Sequence, residues 1–162
     1  NMNKKMRKQT HKRIFLVVAD NTSEMHQALY YASRRAATAN GEVALFRCIE
    51  PLEGQLWGGV SKIMESEAEQ ESKKLLIKLS NYCESLGAKK PKTFLRKGNT
   101  TDELLKLINN EKRISVLVLG ASVETGNPGP LINFVMNASS DSRIPITIVP
   151  GNLSDIQIDE LI

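Results

Sequence analysis

Long apolar runs are missing from this chain of 162 residues, and nothing reaches the roughly 18 consecutive apolar residues of a membrane-spanning helix. The N-terminus is basic and polar, without the apolar stretch of a secretory signal. Cysteine is scarce: Cys48 and Cys83 lie far apart in no recognisable motif. That excludes a disulfide framework and leads us to expect two small buried thiols in a reducing cytoplasm. Histidine is limited to His11 and His26, neither spaced with a Cys, His or acid to share a metal. Three phosphate or nucleophile signatures are also absent: Gly-x-x-x-x-Gly-Lys-Ser/Thr, Gly-x-Gly-x-x-Gly after the first strand, and Gly-x-Ser-x-Gly. P-loop, Rossmann and serine-hydrolase chemistry are therefore not expected.

The pI near 9.1 suggests a nucleic-acid partner, but the charge is unevenly placed. Lys4, Lys5, Arg7, Lys8, Lys12 and Arg13 are six cations in an acid-free stretch, and without them the formal +4 becomes −2. The basicity belongs to a tail, residues 1–12, that we expect to be disordered and solvated, and nucleic acid is not an expected partner. Asn1 before Met2 reads as an expression remnant, with Met2 or Met6 as the natural start.

The body alternates strand and helix signals. Ile14 to Ala19 is continuously apolar, as in a strand covered on both faces. Thr22 caps a helix with its apolar stripe at Met25, Ala28, Leu29, Ala32, Ala36 and Ala39, ended by Asn40-Gly41. Val43 to Ile49 is a second strand, followed by a Gly- and Pro-rich loop around Trp57. That tryptophan either lids a cleft or packs on the long helix expected over 60–86. The helix stripe is Met64, Ala68, Leu75, Leu79, Tyr82 and Leu86. A third strand over 92–97 leads into a helix for which Thr100 and Glu103 form a capping box. Ser115 to Leu119 is the fourth strand, a loop from Gly120 to Pro130 precedes a short helix over 131–138, and Ile146 to Val149 is the fifth strand. Ser154 and Gln157 cap a last short helix in a C-terminal extension, 151–162. The pattern predicts one domain over 13–150: an α/β, doubly wound, open five-stranded parallel sheet.

If the strand order is 3-2-1-4-5, a ligand site falls beyond the carboxyl ends of the first and fourth strands, where Asp20 and Gly120 sit. The loop after Gly120 feeds a helix N-terminus, which suits phosphate, and Asp20 suits a Mg²⁺ beside it. The plainer alternative is that Asp20 and the glycines only shape turns. No nucleophile–base pair is legible, and His26 reads as a surface helix residue.

Taken together and in order, Arg13 to Asp20, Val43 to Glu50, Ile114 to Gly120 with its loop, and Ile144 to Pro150 resemble the universal stress protein family. Gly129 to Asn133 and the tail Pro150 to Asp155 look like an alphaproteobacterial branch of it. The resemblance implies an adenine nucleotide α-hydrolase-like fold with strand order 3-2-1-4-5. It places Asp20, the backbone near Cys48, and a loop including Gly120 and Ala121 at an ATP or AMP site with Mg²⁺. The family loop has a second glycine and a Gly-Ser/Thr pair. Here they fall on Val123 and near Ile132-Asn133, so Gly126 and Gly129 would have to supply a substitute path. A Cβ at Val123 obstructs close approach to phosphate. The resemblance also implies a homodimer through Ile146, Thr147, Ile148 and Val149, an otherwise uncovered apolar edge. The expected function is a cytoplasmic, dimeric stress-response protein that acts by binding, in part to an unidentified protein partner. Any ATPase activity is expected to be weak. The alternative is an adenine-nucleotide sensor.

Overall fold

Among the described residues five runs form strands: β1 (Ile14–Val18), β2 (Glu42–Ile49), β3 (Lys92–Lys97), β4 (Ile114–Ala121) and β5 (Ile146–Pro150). The computed structural model describes residues 12–51, 58, 61–124, 126, 129, 131, 132, 135 and 142–162. The tail through His11, Trp57 and Asn133 lie outside the described residues. The strands pair in parallel, as the sequence pattern predicts, and in the order β3-β2-β1-β4-β5 that the family resemblance implies. Central β1 is buried at all five positions, which is why its run shows no alternation.

Helices α1 (Ser23–Thr38), α2 (Lys62–Ser85), α3 (Thr100–Asn110) and α4 (Asp155–Asp159) cover the two faces. Successive strand residues point to opposite sides. Phe15, Val17, Val43 and Leu45 therefore meet Ala28 and Leu29 of α1, Leu79 of α2 and Ile158 of α4. Ile14, Leu16, Ala44 and Phe46 meet Leu104 and Ile108 of α3 and Val135 on the other side. Each large buried aliphatic contributes about 1.5–3 kcal/mol.

Local signals act as expected at several ends. Thr22 Oγ1 accepts from the Met25 N–H at 3.3 Å. Ser154 and Gln157 form the reciprocal capping box of α4, at 3.1 and 2.9 Å. After α1, Asn40 takes the left-handed turn at φ 51°. Gly41 serves a different end: a Cβ there would lie 2.9 Å from the Phe15 ring and 3.0 Å from the Arg13 carbonyl oxygen.

Four expectations are corrected. The cap of α3 is Asn99, not Thr100, because Gly98 at φ +135° turns the chain one residue earlier. Asn99 Oδ1 accepts from the Asp102 N–H at 3.0 Å, and Glu103 lies near Lys106 instead. The buried face of α2 runs through Ser72, Leu76, Leu79, Ser80 and Cys83; of the expected stripe Leu75, Tyr82 and Leu86 pack at its margin, whereas Met64 is exposed. Ala39 is the exposed C-cap of α1 rather than part of its buried stripe. Of the two thiols, Cys83 is buried and Cys48 only half-buried.

Two sets of side-chain contacts tie distant segments together. The Tyr30 hydroxyl donates to the Asp159 carboxylate at 3.0 Å, and Arg34 pairs with the same group at 3.2 Å, holding α4 on α1. Arg143 donates to the carbonyls of Ile108, Glu111 and Ile114, joining the end of α3, the start of β4 and the approach to β5.

Candidate functional site

Strand order reverses between β1 and β4, so their carboxyl ends diverge and leave a cleft. A cavity of about 290 Å³ lies there. Its floor is apolar, with Val18, Met25, Leu119, Leu131 and Ile132. Its polar wall comes from three carboxylates, Asp20, Glu24 and Glu50, and from the threonines Thr22, Thr100 and Thr101. Among the described residues lining it there is no Lys, Arg or His.

Each carboxylate is already committed to local structure. Asp20 Oδ1 accepts from the Thr22 N–H at 3.1 Å and from Thr22 Oγ1 at 2.7 Å, shaping the turn in which Asn21 adopts φ 59°. Glu50, one residue past β2, accepts the Thr100 N–H at 2.7 Å. It therefore occupies an N–H at the start of α3 that an anionic ligand would otherwise use. Glu24 Oε2 accepts from Ser23 Oγ at 3.2 Å in the first turn of α1, where the helix dipole favours a carboxylate.

Gly120 lines the cleft, but its lack of a side chain answers to packing. A Cβ there would fall well inside contact with the Glu24 carbonyl oxygen and 2.5 Å from its carbon. Gly129 also lines the cleft, and Gly126 and Gly129 adopt φ +77° and +105°. Val123 is exposed, without positive φ. Ala121 pairs with Pro150 and accepts the Gly151 N–H at 2.9 Å rather than facing the cavity. The Cys48 thiol donates to the Gly98 carbonyl at 3.5 Å, packs with the α3-side core and does not line the cavity. Burial pushes that thiol up, so it stays protonated at neutral pH. Asn133 lies outside the described residues. Asp20, Gly120 and Gly129 are thus brought together, while Cys48, Ala121, Val123 and Gly126 lie elsewhere. Sequence reasoning missed Glu24 and Glu50, although the rule that points to Asp20, a polar residue just past a strand end, points equally to Glu50.

A Mg²⁺ fits this wall only in part. Among the described residues no three His, Cys, Asp or Glu side chains lie close enough to hold a metal together. Mg²⁺ ordinarily takes one or two carboxylates and completes its shell with water and phosphate oxygens. Asp20 would be the carboxylate of such a set, with the ligand supplying the rest.

Three other features bear on function. His26 is exposed on α1, edge-on to Tyr82 with centroids 5.1 Å apart, outside the cleft. β5 is an edge strand, with Ile148 41% exposed and Val149 buried. Among the described residues, no helix is long and apolar enough to cross a membrane.

Comparison with known proteins agrees with this architecture. No curated protein matches the sequence. Universal stress protein UspA from Lactobacillus plantarum superposes with a TM-score of 0.70 at 12% identity, covering 86% of this chain and 98% of that one. A universal stress protein in complex with cAMP gives 0.63 at 15% identity, covering 88% and 100%. The universal stress protein from Archaeoglobus fulgidus in complex with dAMP gives 0.54 at 14%, covering 85% and 97%. These likenesses establish the fold. The family model described as "Universal stress protein family" matches residues 12–150, and the chain belongs to that family.

Proposed function

We propose that this protein is a dimeric stress-response regulator that acts by binding and not by catalysis, with a cleft altered away from the nucleoside triphosphate. One observation carries the reading: three carboxylates and no cation line the cleft among the described residues. Two unit charges 4 Å apart interact by about 4 kcal/mol at an effective dielectric constant of 20. A triphosphate facing this wall meets repulsion that α1 and α3 do little to offset, since Glu24, Asp102 and Glu103 already occupy their first turns. Val123, exposed and outside the cleft, stands where the family resemblance places a glycine, so that position brings no glycine backbone to a phosphate. The cleft holds no His, Cys or Lys among its described residues to act as base or nucleophile. The apolar edge β5, with Ile148 exposed, supports self-pairing as the assembly mode.

A second reading, an adenine-nucleotide sensor, is supported by the position of the cavity between β1 and β4 and by relatives solved with cAMP and dAMP. On that reading Asp20 carries Mg²⁺ to the phosphate. Calorimetry with ATP, AMP and cAMP, each with and without Mg²⁺, separates the two. The first reading expects no heat at micromolar ligand. Micromolar binding that requires Mg²⁺ and disappears in Asp20→Ala establishes the second.

A further inference from the structure

The two edges of the sheet are chemically unlike. β5 carries no charged residue, whereas residues 85–101, spanning β3 and its approach, contain five cations and no acid. These are Lys89, Lys90, Lys92, Arg96 and Lys97. β3 ends the strand order, so among the described residues its outer side has no strand neighbour. Beside it, between β3 and α2, runs a groove of about 440 Å³. Thr93 and Leu95 form one wall, and Leu76, Ile77 and Ser80 the other, with Lys73 and Lys90 at its rim. Ile77 is 62% exposed. Lys97 is neutralised by Glu65 and Glu69 of α2, but Lys73, Lys90 and Lys92 have no ion pair among the described residues. Lys89 lies against Lys12, whose ammonium that contact holds below its ordinary value, so cations crowd at the approach to β3.

We propose that this groove and the free edge of β3 form a docking site for an extended acidic segment of a partner protein. An unpaired strand edge offers main-chain donors and acceptors to an added strand, and alternate side chains of that strand set its specificity. A segment matching β3 is about six residues, or about 20 Å. Its apolar side chains meet Leu95, Leu76 and Ile77 in the groove, beside the rim cations Lys73 and Lys90, and carboxylates on its other face meet Lys92 and Arg96. A second copy of this chain does not suit the edge, because pairing β3 with itself sets lysine against lysine. Single-stranded nucleic acid suits the charge but not the walls. The groove has no aromatic platform among its described residues, and Phe94 faces the opposite side of the sheet with Arg96 5.7 Å from its ring centre.

The inference rests on the reading of the chain as a binding protein, yet it concerns a surface separate from the cleft. The probe is a fluorescein-labelled octapeptide of alternating Glu and Val, followed by anisotropy with the full chain at low salt. Lys73→Glu with Lys90→Glu should weaken binding about tenfold, while Lys62→Glu with Lys112→Glu, exposed positions outside the groove, should change it less than twofold. Backbone N-methylation of the peptide should abolish binding, since it removes the donors that strand addition uses. The proposal is overturned by no binding to the parent protein, by equal binding to the groove variant, by indifference to N-methylation, or by tighter binding of oligouridylate at the same lysines. Nucleotide calorimetry on the groove variant reads the cleft independently, so failure here leaves that result standing.

Discussion

Replacing Gly120 by alanine tests whether this glycine serves phosphate or packing. The added methyl would sit 2.5 Å from the Glu24 carbonyl carbon and 3.1 Å from Glu24 Cβ, both in the first turn of α1. Relief requires about 1 Å of movement between α1 and β4, and overpacking a close-packed contact costs about 1–3 kcal/mol, more when backbone must yield. We expect the upper end, about 3 kcal/mol. At about 2–4 °C per kcal/mol for a chain of this size, Tm should fall by about 6–12 °C. Gly126→Ala is the control: its Cβ would meet nothing within 4 Å, so only the left-handed φ of +77° is penalised, by about 1 kcal/mol. Urea unfolding followed by far-UV circular dichroism, without nucleotide and at matched protein concentration, gives both values. If Gly120→Ala unfolds within 0.5 kcal/mol of the parent, or if Gly126→Ala is the more damaging, the packing account is wrong.

Other outcomes follow from the same contacts. Glu50→Gln should cost about 1 kcal/mol in urea unfolding, because the carboxylate on the Thr100 N–H is lost as a charged cap. A cost as large from Glu67→Gln, an exposed position with no such contact, would remove the explanation. Burial pushes the Cys83 thiol up to about 11, above the 9.0 of a free thiol. A raised folded value favours the protonated thiol, so its contribution is complete below pH 9 and is lost as pH climbs toward 11, by about 3 kcal/mol. Cys83→Ala should therefore be less stable at pH 8 and should flatten the parent's decline between pH 9 and 11. A parallel decline in both proteins refutes the assignment. Ile148→Lys should convert a dimer to a monomer in sedimentation, and a parent chain that sediments as a monomer at micromolar concentration ends the β5 proposal.

Much of the fold is legible because β1, β2, β4 and β5 are largely apolar runs and several helices have a local stop or start, such as Thr22, Asn40 or Ser154. The face of α2 is less legible for a physical reason. Leu75, Leu76 and Ile77 are consecutive, so two stripes one residue apart satisfy the same helical period. Packing on β2 buried Leu76 with Cys83 and small serines, and left Ile77 outward. The cap of α3 depends on the conformation of Gly98, which no neighbouring residue announces. At the site, the strand-end rule locates Asp20, but the reason for Gly120 is a carbonyl on a helix far away in sequence. A contact of that kind has no local signature.

Arg143 couples parts of the molecule that would otherwise open separately. Its guanidinium donates to carbonyls at the end of α3, in the turn that follows, and at the first residue of β4, while its own backbone leads into β5. Loosening any one of these frees the donor from the others, so amide exchange should report the helix end and the outer strand as one cooperative unit. Lysine, with a single ammonium in place of the planar fork, cannot hold all three acceptors in that geometry, and the outer strand would then fray first.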